Sequence, residues 1–178
     1  MKDFKMQIPE FYEILPLKEF RRTPGVEFHI LAKKSIPRID GVDRVIHMTD
    51  AVSPGSIGEV ERPWYMHPDQ DDNLLVLQGR RIVDIYHLPT KTLMNFEVTP
   101  EYVSCGGEVV FDGPAILIWP RNVFHRIISG KEGSASLNLA TRYGGFDIDT
   151  NFSIYDLDTG TGEYREIRRG ELDQKKID

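Results

Sequence analysis

The sequence predicts an all-β protein made of antiparallel strands with little helix. Short apolar stretches rich in Val, Ile, Leu and aromatic residues recur along the chain, and 15 glycines and 11 prolines separate them instead of collecting in a linker. Sustained helical periodicity is scarce. Many short strands with regular turn signals are typical of antiparallel sandwiches and barrels.

Nine of these stretches precede residue 145, and each is bounded by turn residues. They are Val26–Ala32, Arg44–Thr49, Leu74–Gln78, Ile82–Leu88, Leu93–Val98, Glu108–Phe111, Ala115–Trp119, Val123–Ser129 and Ala135–Tyr143. Further along, Phe152–Asp158 and Tyr164–Arg168 flank the segment Thr159-Gly160-Thr161-Gly162, which predicts a hairpin with a glycine-containing loop.

The segment Leu74–Tyr86 predicts an apolar strand, a turn at Gly79 and a second strand with strict alternation. On that second strand Ile82, Asp84 and Tyr86 face one side of the sheet, and the other side carries Arg81, Val83, Ile85 and His87. Helix is predicted only weakly: Pro9–Phe20 is a candidate interrupted by Pro16, and Gly170–Ile177 is a candidate polar turn.

Composition excludes several classes of protein. The 178 residues fit a single domain, and the formal net charge of −6 with a pI near 5.4 argues against nucleic acid as a partner. The longest apolar run is Ala115–Trp119, far short of a membrane span, and Met1–Glu13 lacks the apolar region of a secretory signal. The lone Cys105 excludes an intrachain disulfide, so we expect a soluble, cytoplasmic protein.

One segment carries residue types that do chemistry. Tyr65, His67 and Asp72 precede Gly79 with the spacing of a known pattern: His-x-His, three or four residues, Glu, six residues, Gly. This resembles the first motif of the cupin superfamily, with Tyr65 at the first His position, His67 at the second and Asp72 at the Glu position.

The second cupin motif is also recognisable, in Gly113–His125. Pro120 and His125 match its Pro and His, Asn122 replaces a glycine, and Ser129 replaces the final Asn. Asn tolerates a left-handed backbone better than most residues do, so that exchange is mild. The resemblance implies a cupin jelly-roll barrel, also called a double-stranded β-helix, over residues 1–178. The motif core is 58–129, and the strand-rich flanks are 1–57 and 130–178.

The resemblance also implies a divalent metal inside the barrel, held here by His67, Asp72 and His125. Two imidazoles and one carboxylate suit non-haem Fe(II), and Mn, Ni or Zn also fit. Tyr65 would bind a metal only as a phenolate, which its free pKa of about 10 disfavours. The alternative is that both histidines are hydrogen-bonded core residues.

Three functions remain open from the sequence, all of them involving a small polar molecule in the barrel cavity. The first is a metal-dependent enzyme of the dioxygenase or isomerase type. The second is a metal-free sugar epimerase or isomerase in which His67 and Tyr65 are the catalytic base and acid and Asp72 orients the imidazole. The third is a non-catalytic barrel that binds a small ligand.

Three further expectations concern residues outside these motifs. His29, His47 and His87 follow no ligand spacing and are interpreted as structural, and Cys105 as inert. Arg121 and Arg142 could face an anionic ligand, but surface pairing is the preferred interpretation. The strands of the two flanks need partners or leave exposed edges, which predicts a homodimer.

Overall fold

The protein, described here by a computed structural model over residues 5–175, is built almost entirely of antiparallel strands. Three 3₁₀ turns cover Lys33–Ser35, Leu88–Thr90 and Gly170–Leu172. The remaining elements of the described residues are β1 (Gln7–Ile8), β2 (Tyr12–Pro16), β3 (Lys18–Thr23), β4 (Val26–Ile30), β5 (Gly41–His47), β6 (Val52–Ser53), β7 (Trp64–Tyr65), β8 (Gln70–His87), β9 (Thr92–Val98), β10 (Tyr102–Cys105), β11 (Glu108–Asp112), β12 (Ala115–Trp119), β13 (Phe124–Arg142), α1 (Ile148–Asn151), β14 (Ile154–Leu157) and β15 (Tyr164–Arg168).

Two long strands, β8 and β13, organise the fold. They run antiparallel to each other over most of their length, and each contributes to two half-sheets. The first half of β8 pairs with β12 and with the second half of β13, which also pairs with β5. The second half of β8 pairs with β9 and with the first half of β13, which β6 and β7 also flank. The interior between these half-sheets holds the candidate site.

The predicted turn at Gly79 is wrong, because β8 continues through it. Gly79 has a φ of +68°, and a Cβ there would lie 2.1 Å from the carbonyl oxygen of Gly133 on β13. Only glycine fits so close a backbone approach. The register of β8 and β13 shifts around this crossing, as expected for a bulge. Leu74–Gln78 and Ile82–Leu88 are therefore two halves of one strand, and so are Val123–Ser129 and Ala135–Tyr143.

The helix considered for Pro9–Phe20 is also wrong. β2 occupies this segment, and its Tyr12 and Ile14 are buried on either side of the half-buried Glu13. This alternation of burial is the strand period, and β2 pairs with β12. At the other end, the candidate turn at Gly170–Ile177 is observed as the 3₁₀ turn Gly170–Leu172, while residues 176 and 177 lie outside the described residues.

The alternation predicted for the second half of β8 is observed. Val83 and Ile85 are fully buried in the main core with Phe96 and Leu117. Tyr86, on the other side, packs in a second cluster with Trp64, Phe124 and Leu157. Arg81 lies on the same side of the strand as Val83 and is only 2% exposed, so a guanidinium shares the barrel interior with the apolar core.

The hairpin of β3 and β4 stands apart from the main sheet. Among the described residues, these two strands pair only with each other. Phe20 and Phe28 are 68% and 53% exposed, and Val26 and Ile30 are exposed as well. A two-stranded sheet with exposed apolar side chains is marginal in water unless something covers it. No helix within residues 5–175 has the length and apolarity needed to cross a membrane.

Candidate metal centre and ligand cavity

The structure brings together the three side chains that the sequence singled out as metal ligands. His67 follows β7, Asp72 lies near the start of β8, and His125 lies near the start of β13. Each is 4% exposed. Asp72 Oδ2 is 3.2 Å from His67 Nε2 and 3.6 Å from His125 Nε2. One ligand atom from each residue lies within 4.8 Å of the other two.

Backbone carbonyls orient both imidazoles. Nδ1 of His67 is hydrogen-bonded to the carbonyl oxygen of Asn151 in α1, and Nδ1 of His125 to that of Val123 at 3.3 Å. Because a carbonyl oxygen only accepts, each Nδ1 carries a proton and donates it. Each Nε2 is thereby turned toward Asp72, which is the arrangement that metal-binding histidines use.

The carboxylate of Asp72 is oriented in a similar way. Its Oδ1 accepts hydrogen bonds from Gln70 Nε2 at 2.8 Å and from Asn138 Nδ2 at 2.7 Å. These bonds leave Oδ2 facing the two imidazoles. The site therefore presents two Nε2 atoms and one carboxylate oxygen to a common point.

The charges of the three groups depend strongly on one another. Burial alone would lower the pKa of His67, but the adjacent Asp72 carboxylate outweighs it and raises that pKa. Burial opposes ionisation of Asp72 as well, yet His67 and His125 hold the pKa of its carboxyl well below the usual range. Burial, followed by repulsion from His67, lowers the pKa of His125 to about 4. Without a metal, one proton on His67 balances Asp72.

Two of the three ligand-atom separations suit a divalent cation. A first-row ion bound at about 2.0–2.2 Å needs neighbouring ligand atoms about 3.0–3.6 Å apart in octahedral or tetrahedral coordination. The two separations from Asp72 Oδ2, at 3.2 and 3.6 Å, lie in that range. The two Nδ1 bonds and the two bonds to Oδ1 supply the outer shell that such a site requires.

The three residues line a cavity of about 370 Å³ between the half-sheets. Tyr65, Trp119 and Phe152 contribute rings to its wall. Along β13, His125 is the register partner of Ile85, so its side chain shares the interior face of β8 with Ile85 and Arg81. Arg81 lies four residues before Ile85, which places the two backbone rows about 13 Å apart. The cavity therefore has a histidine–carboxylate end and an arginine end.

Tyr65 lies in the cavity beside both imidazoles. Its ring centroid is 6.4 Å from that of His67 and 5.9 Å from that of His125, its register partner. Burial raises the pKa of the Tyr65 phenol, and a side-chain hydrogen bond with Ser53 opposes that rise. A phenol with a raised pKa stays neutral, which disfavours it as a metal ligand.

Several residues of the cavity escaped the sequence analysis. His47, interpreted as structural, lines the cavity, as do Arg81 and Asn138. The one available signal was Arg81 itself, a charged residue on the apolar face of an alternating strand. The α1 helix, which supplies the carbonyl partner of His67, gave no signal because it has only four residues.

The two arginines considered for an anionic ligand, Arg121 and Arg142, lie away from the centre. Asp71 accepts hydrogen bonds from the Tyr143 hydroxyl and the Arg121 backbone, and Asp69 Oδ1 is 3.8 Å from Arg121 Nη1. The guanidinium of Arg142 lies against the Phe146 ring. None of these side chains lines the cavity.

Comparison with known proteins adds evidence from structure alone. Neither protein-family models nor curated protein sequences match this chain. Several solved structures do match it. The structure of QdtA, a sugar 3,4-ketoisomerase from Thermoanaerobacterium thermosaccharolyticum in complex with TDP, is similar with a TM-score of 0.55 and 17% identity, over 79% of this chain and 85% of that one.

A second similar structure is a dTDP sugar isomerase from Desulfovibrio desulfuricans, with a TM-score of 0.54 and 14% identity over 75% of this chain and 80% of that one. A third is WlaRB, a TDP-quinovose 3,4-ketoisomerase from Campylobacter jejuni, with a TM-score of 0.50 and 16% identity over 76% and 87%. The fold is that of the cupin-type jelly roll. The fold class predicted from the sequence, antiparallel with little helix, is thereby confirmed.

Proposed function

We propose that this protein is an enzyme that takes up a small polar molecule in its barrel cavity, at a divalent cation held by His67, Asp72 and His125. The observation that carries the proposal is the direction of the polar atoms. Hydrogen bonds occupy both Nδ1 atoms and Oδ1, while the two Nε2 atoms and Oδ2 face one another in a buried cavity. Mn, Fe, Ni and Zn all suit this ligand set.

With neutral imidazoles the three ligands carry one negative charge, so a divalent ion leaves the site with a net charge of +1. When bound, the cation polarises an oxygen of the substrate as a Lewis acid, or provides an O₂ site if it is iron. Tyr65 stands beside the imidazoles as a neutral donor for a substrate oxygen. The rings of Trp119 and Phe152 restrict water in the cavity.

An isomerase is the enzyme type that the comparisons favour, since the similar structures include a sugar 3,4-ketoisomerase in complex with TDP, a TDP-quinovose 3,4-ketoisomerase and a dTDP sugar isomerase. Moving a carbonyl to the adjacent carbon needs a base that removes the proton from that carbon and an acid that protonates the carbonyl oxygen. The resulting enediol then loses the proton of the hydroxyl on the adjacent carbon and gains a proton on the former carbonyl carbon, so no co-reactant is consumed. Tyr65 supplies the acid. His67 supplies the base only in a site without the cation, because Nε2 is the nitrogen that would bind the metal and Nδ1 donates its proton to Asn151.

A metal-free isomerase is the second candidate, and the 3.2 Å contact of His67 with Asp72 favours it. In the metal-free site both nitrogens of His67 face acceptors, so the imidazole is cationic. It must pass its Nε2 proton to Asp72 or to the substrate before it acts as a base.

Metal analysis of the purified protein tests the proposal. Protein reconstituted separately with Mn, Fe, Ni or Zn and then desalted should retain about one ion per chain for at least one metal. His67→Gln and His125→Gln should retain little, while Asp69→Asn, outside the cavity, should match the wild type. Equal metal content in all four proteins would contradict the cation site. Turnover of a TDP-linked ketosugar by chelator-treated protein would support the second candidate.

A further inference from the structure

The arginine end of the cavity holds a buried cation with no counter-charge. Arg81 is 2% exposed, its Nε donates to Ser134 Oγ at 3.1 Å, and its Nη2 donates to the carbonyl oxygen of Val45 at 3.1 Å. Both acceptors are neutral, and no carboxylate of residues 5–175 forms an ion pair with it. A buried charge without a partner is costly, so a residue kept there needs a reason.

The second terminal nitrogen of the Arg81 guanidinium is available to bind a ligand. Nη1 of Arg81 has no hydrogen-bond partner in the described part of the chain, and the residue lines the cavity. Burial lowers the pKa of Arg81 to about 10, which leaves it protonated at neutral pH. The free edge therefore presents a charged donor to the cavity interior.

A chain of hydrogen bonds links this arginine to His47. Ser134 Oγ is 2.8 Å from Ser129 Oγ, which is 2.9 Å from His47 Nδ1. The chain is satisfied when Arg81 donates to Ser134, Ser134 to Ser129, and Ser129 to His47 Nδ1. A neutral His47 then carries its proton on Nε2, which has no partner among residues 5–175. His47 thus adds a second donor to the same end of the cavity.

We propose that Arg81 and His47 form an oxyanion subsite, so that the molecule taken up is an organic anion whose charged group lies at this end of the cavity. Two N–H donors on one side of an interior cavity suit the oxygens of a carboxylate or a phosphate. The reacting end of this molecule would then lie at His67, Asp72 and His125. The placement of that reacting end rests on the proposed function.

Charge favours a carboxylate over a phosphate. The subsite offers one guanidinium, and His47 is neutral, since burial and then Arg81 lower its pKa to about 4. Asp43 and Asp72 also line the cavity and repel a dianion. A monoanionic carboxylate matches the single positive charge, and a dianionic phosphate should bind more weakly.

Ligand titrations on the whole protein test the subsite. Succinate, acetate and inorganic phosphate are titrated by NMR or calorimetry into metal-loaded and chelator-treated protein. We expect the wild type to bind the carboxylates in both states and Arg81→Gln to weaken this binding at least tenfold. His47→Gln should weaken it severalfold, and Arg81→Lys should retain part of it. Arg121→Gln, which removes a guanidinium outside the cavity, should match the wild type.

Arg81→Met separates binding from folding. Replacing a buried unpaired charge with an apolar chain should raise the thermal unfolding midpoint of the ligand-free protein while it abolishes anion binding. Equal binding by wild type and Arg81→Gln, or none by the wild type, would overturn the subsite. So would a large loss of stability in Arg81→Met, which would make Arg81 a structural residue. Metal content should be unchanged in all Arg81 variants, so failure of the cation site and failure of this subsite are distinguishable.

Discussion

Tyr65 and His125 are register partners on adjacent strands, and their ring centroids lie 5.9 Å apart inside the barrel. This pairing places a phenol at the position where the cupin pattern has its first histidine. The partner strands thereby bring a proton donor to the edge of the candidate cation site, instead of a third nitrogen ligand.

Tyr65→His should tighten metal binding, because it replaces a neutral phenol with a nitrogen ligand. Dissociation constants measured by competition with a chromophoric chelator check this. Tyr65→Phe, the matched control, should bind metal as the wild type does. If both variants abolish turnover without any metal dependence, Tyr65 is an acid–base residue of a metal-free site.

Gln70→Met should weaken metal binding by about tenfold, since it removes a hydrogen bond that orients the Asp72 carboxylate. The substitution nearly preserves side-chain volume at a buried position. The same chelator competition measures it, and circular dichroism checks that the fold is intact. An unchanged affinity would mean that Asn138 alone orients Asp72.

Protein stability should fall as the pH drops from about 6.5 to 4, in part because of His47. Its pKa is about 4 in the folded protein and takes the ordinary histidine value of 6.5 in the unfolded chain, so the unfolded chain binds the extra proton in this window. For a half-buried group the effect is about 1–2 kcal/mol after allowance for solvent screening.

Urea unfolding of His47→Asn at pH 7 and pH 4.5 isolates this contribution. The free energy of unfolding of the variant should decline less between the two pH values than that of the wild type. A steeper decline in the variant would have the wrong sign for a histidine held neutral in the folded state.

Gly79→Ala should destabilise the protein by about 3 kcal/mol or more, because the added methyl would meet the Gly133 carbonyl at 2.1 Å in a left-handed backbone. Gly106→Ala is the matched control: Gly106 also has a positive φ, but nothing lies within 4 Å of an added Cβ. It should cost only about 1 kcal/mol. Chemical denaturation measures both, and similar losses would mean that backbone strain alone explains Gly79.

The exposed β3–β4 hairpin is a candidate interface for the homodimer that the flanking strands predict. We expect light scattering to give a dimer mass for the wild type and a monomer mass for Phe20→Ser/Phe28→Ser. Val109→Ser, another exposed apolar position, should stay dimeric. A monomer mass for the wild type at micromolar concentration would contradict this prediction.

Much of the fold could be predicted because its signals are local. Ala115–Trp119 and Tyr164–Arg168 match the observed β12 and β15 to the residue. The errors lie where a distant contact decides the structure. Gly79 has the sequence of a turn, and only its approach to Gly133, 54 positions away, makes it a bend within a strand.

The residues of the candidate site also differ in whether a local sequence signal or a distant contact places them. The spacing of His67 and Asp72 before Gly79 identified two of the three clustered ligands, and His125 came from the second motif. His47 was missed, because its place in the cavity depends on the pairing of β5 with the far half of β13. Its bond to Ser129 spans 82 positions, and no local pattern reports such a contact.

The bend at Gly79 lies between Asp72 and Arg81 on one continuous strand. The distance between the two ends of the cavity is consequently set by main-chain geometry together with the hydrogen bonds that hold the Arg81 side chain to Ser134 and Val45. A fixed distance between the two binding ends selects among chemically similar molecules by the number of bonds between their two polar groups. Homologous series of ligands that differ by single methylene groups should therefore show a sharp optimum of affinity, not a gradual trend.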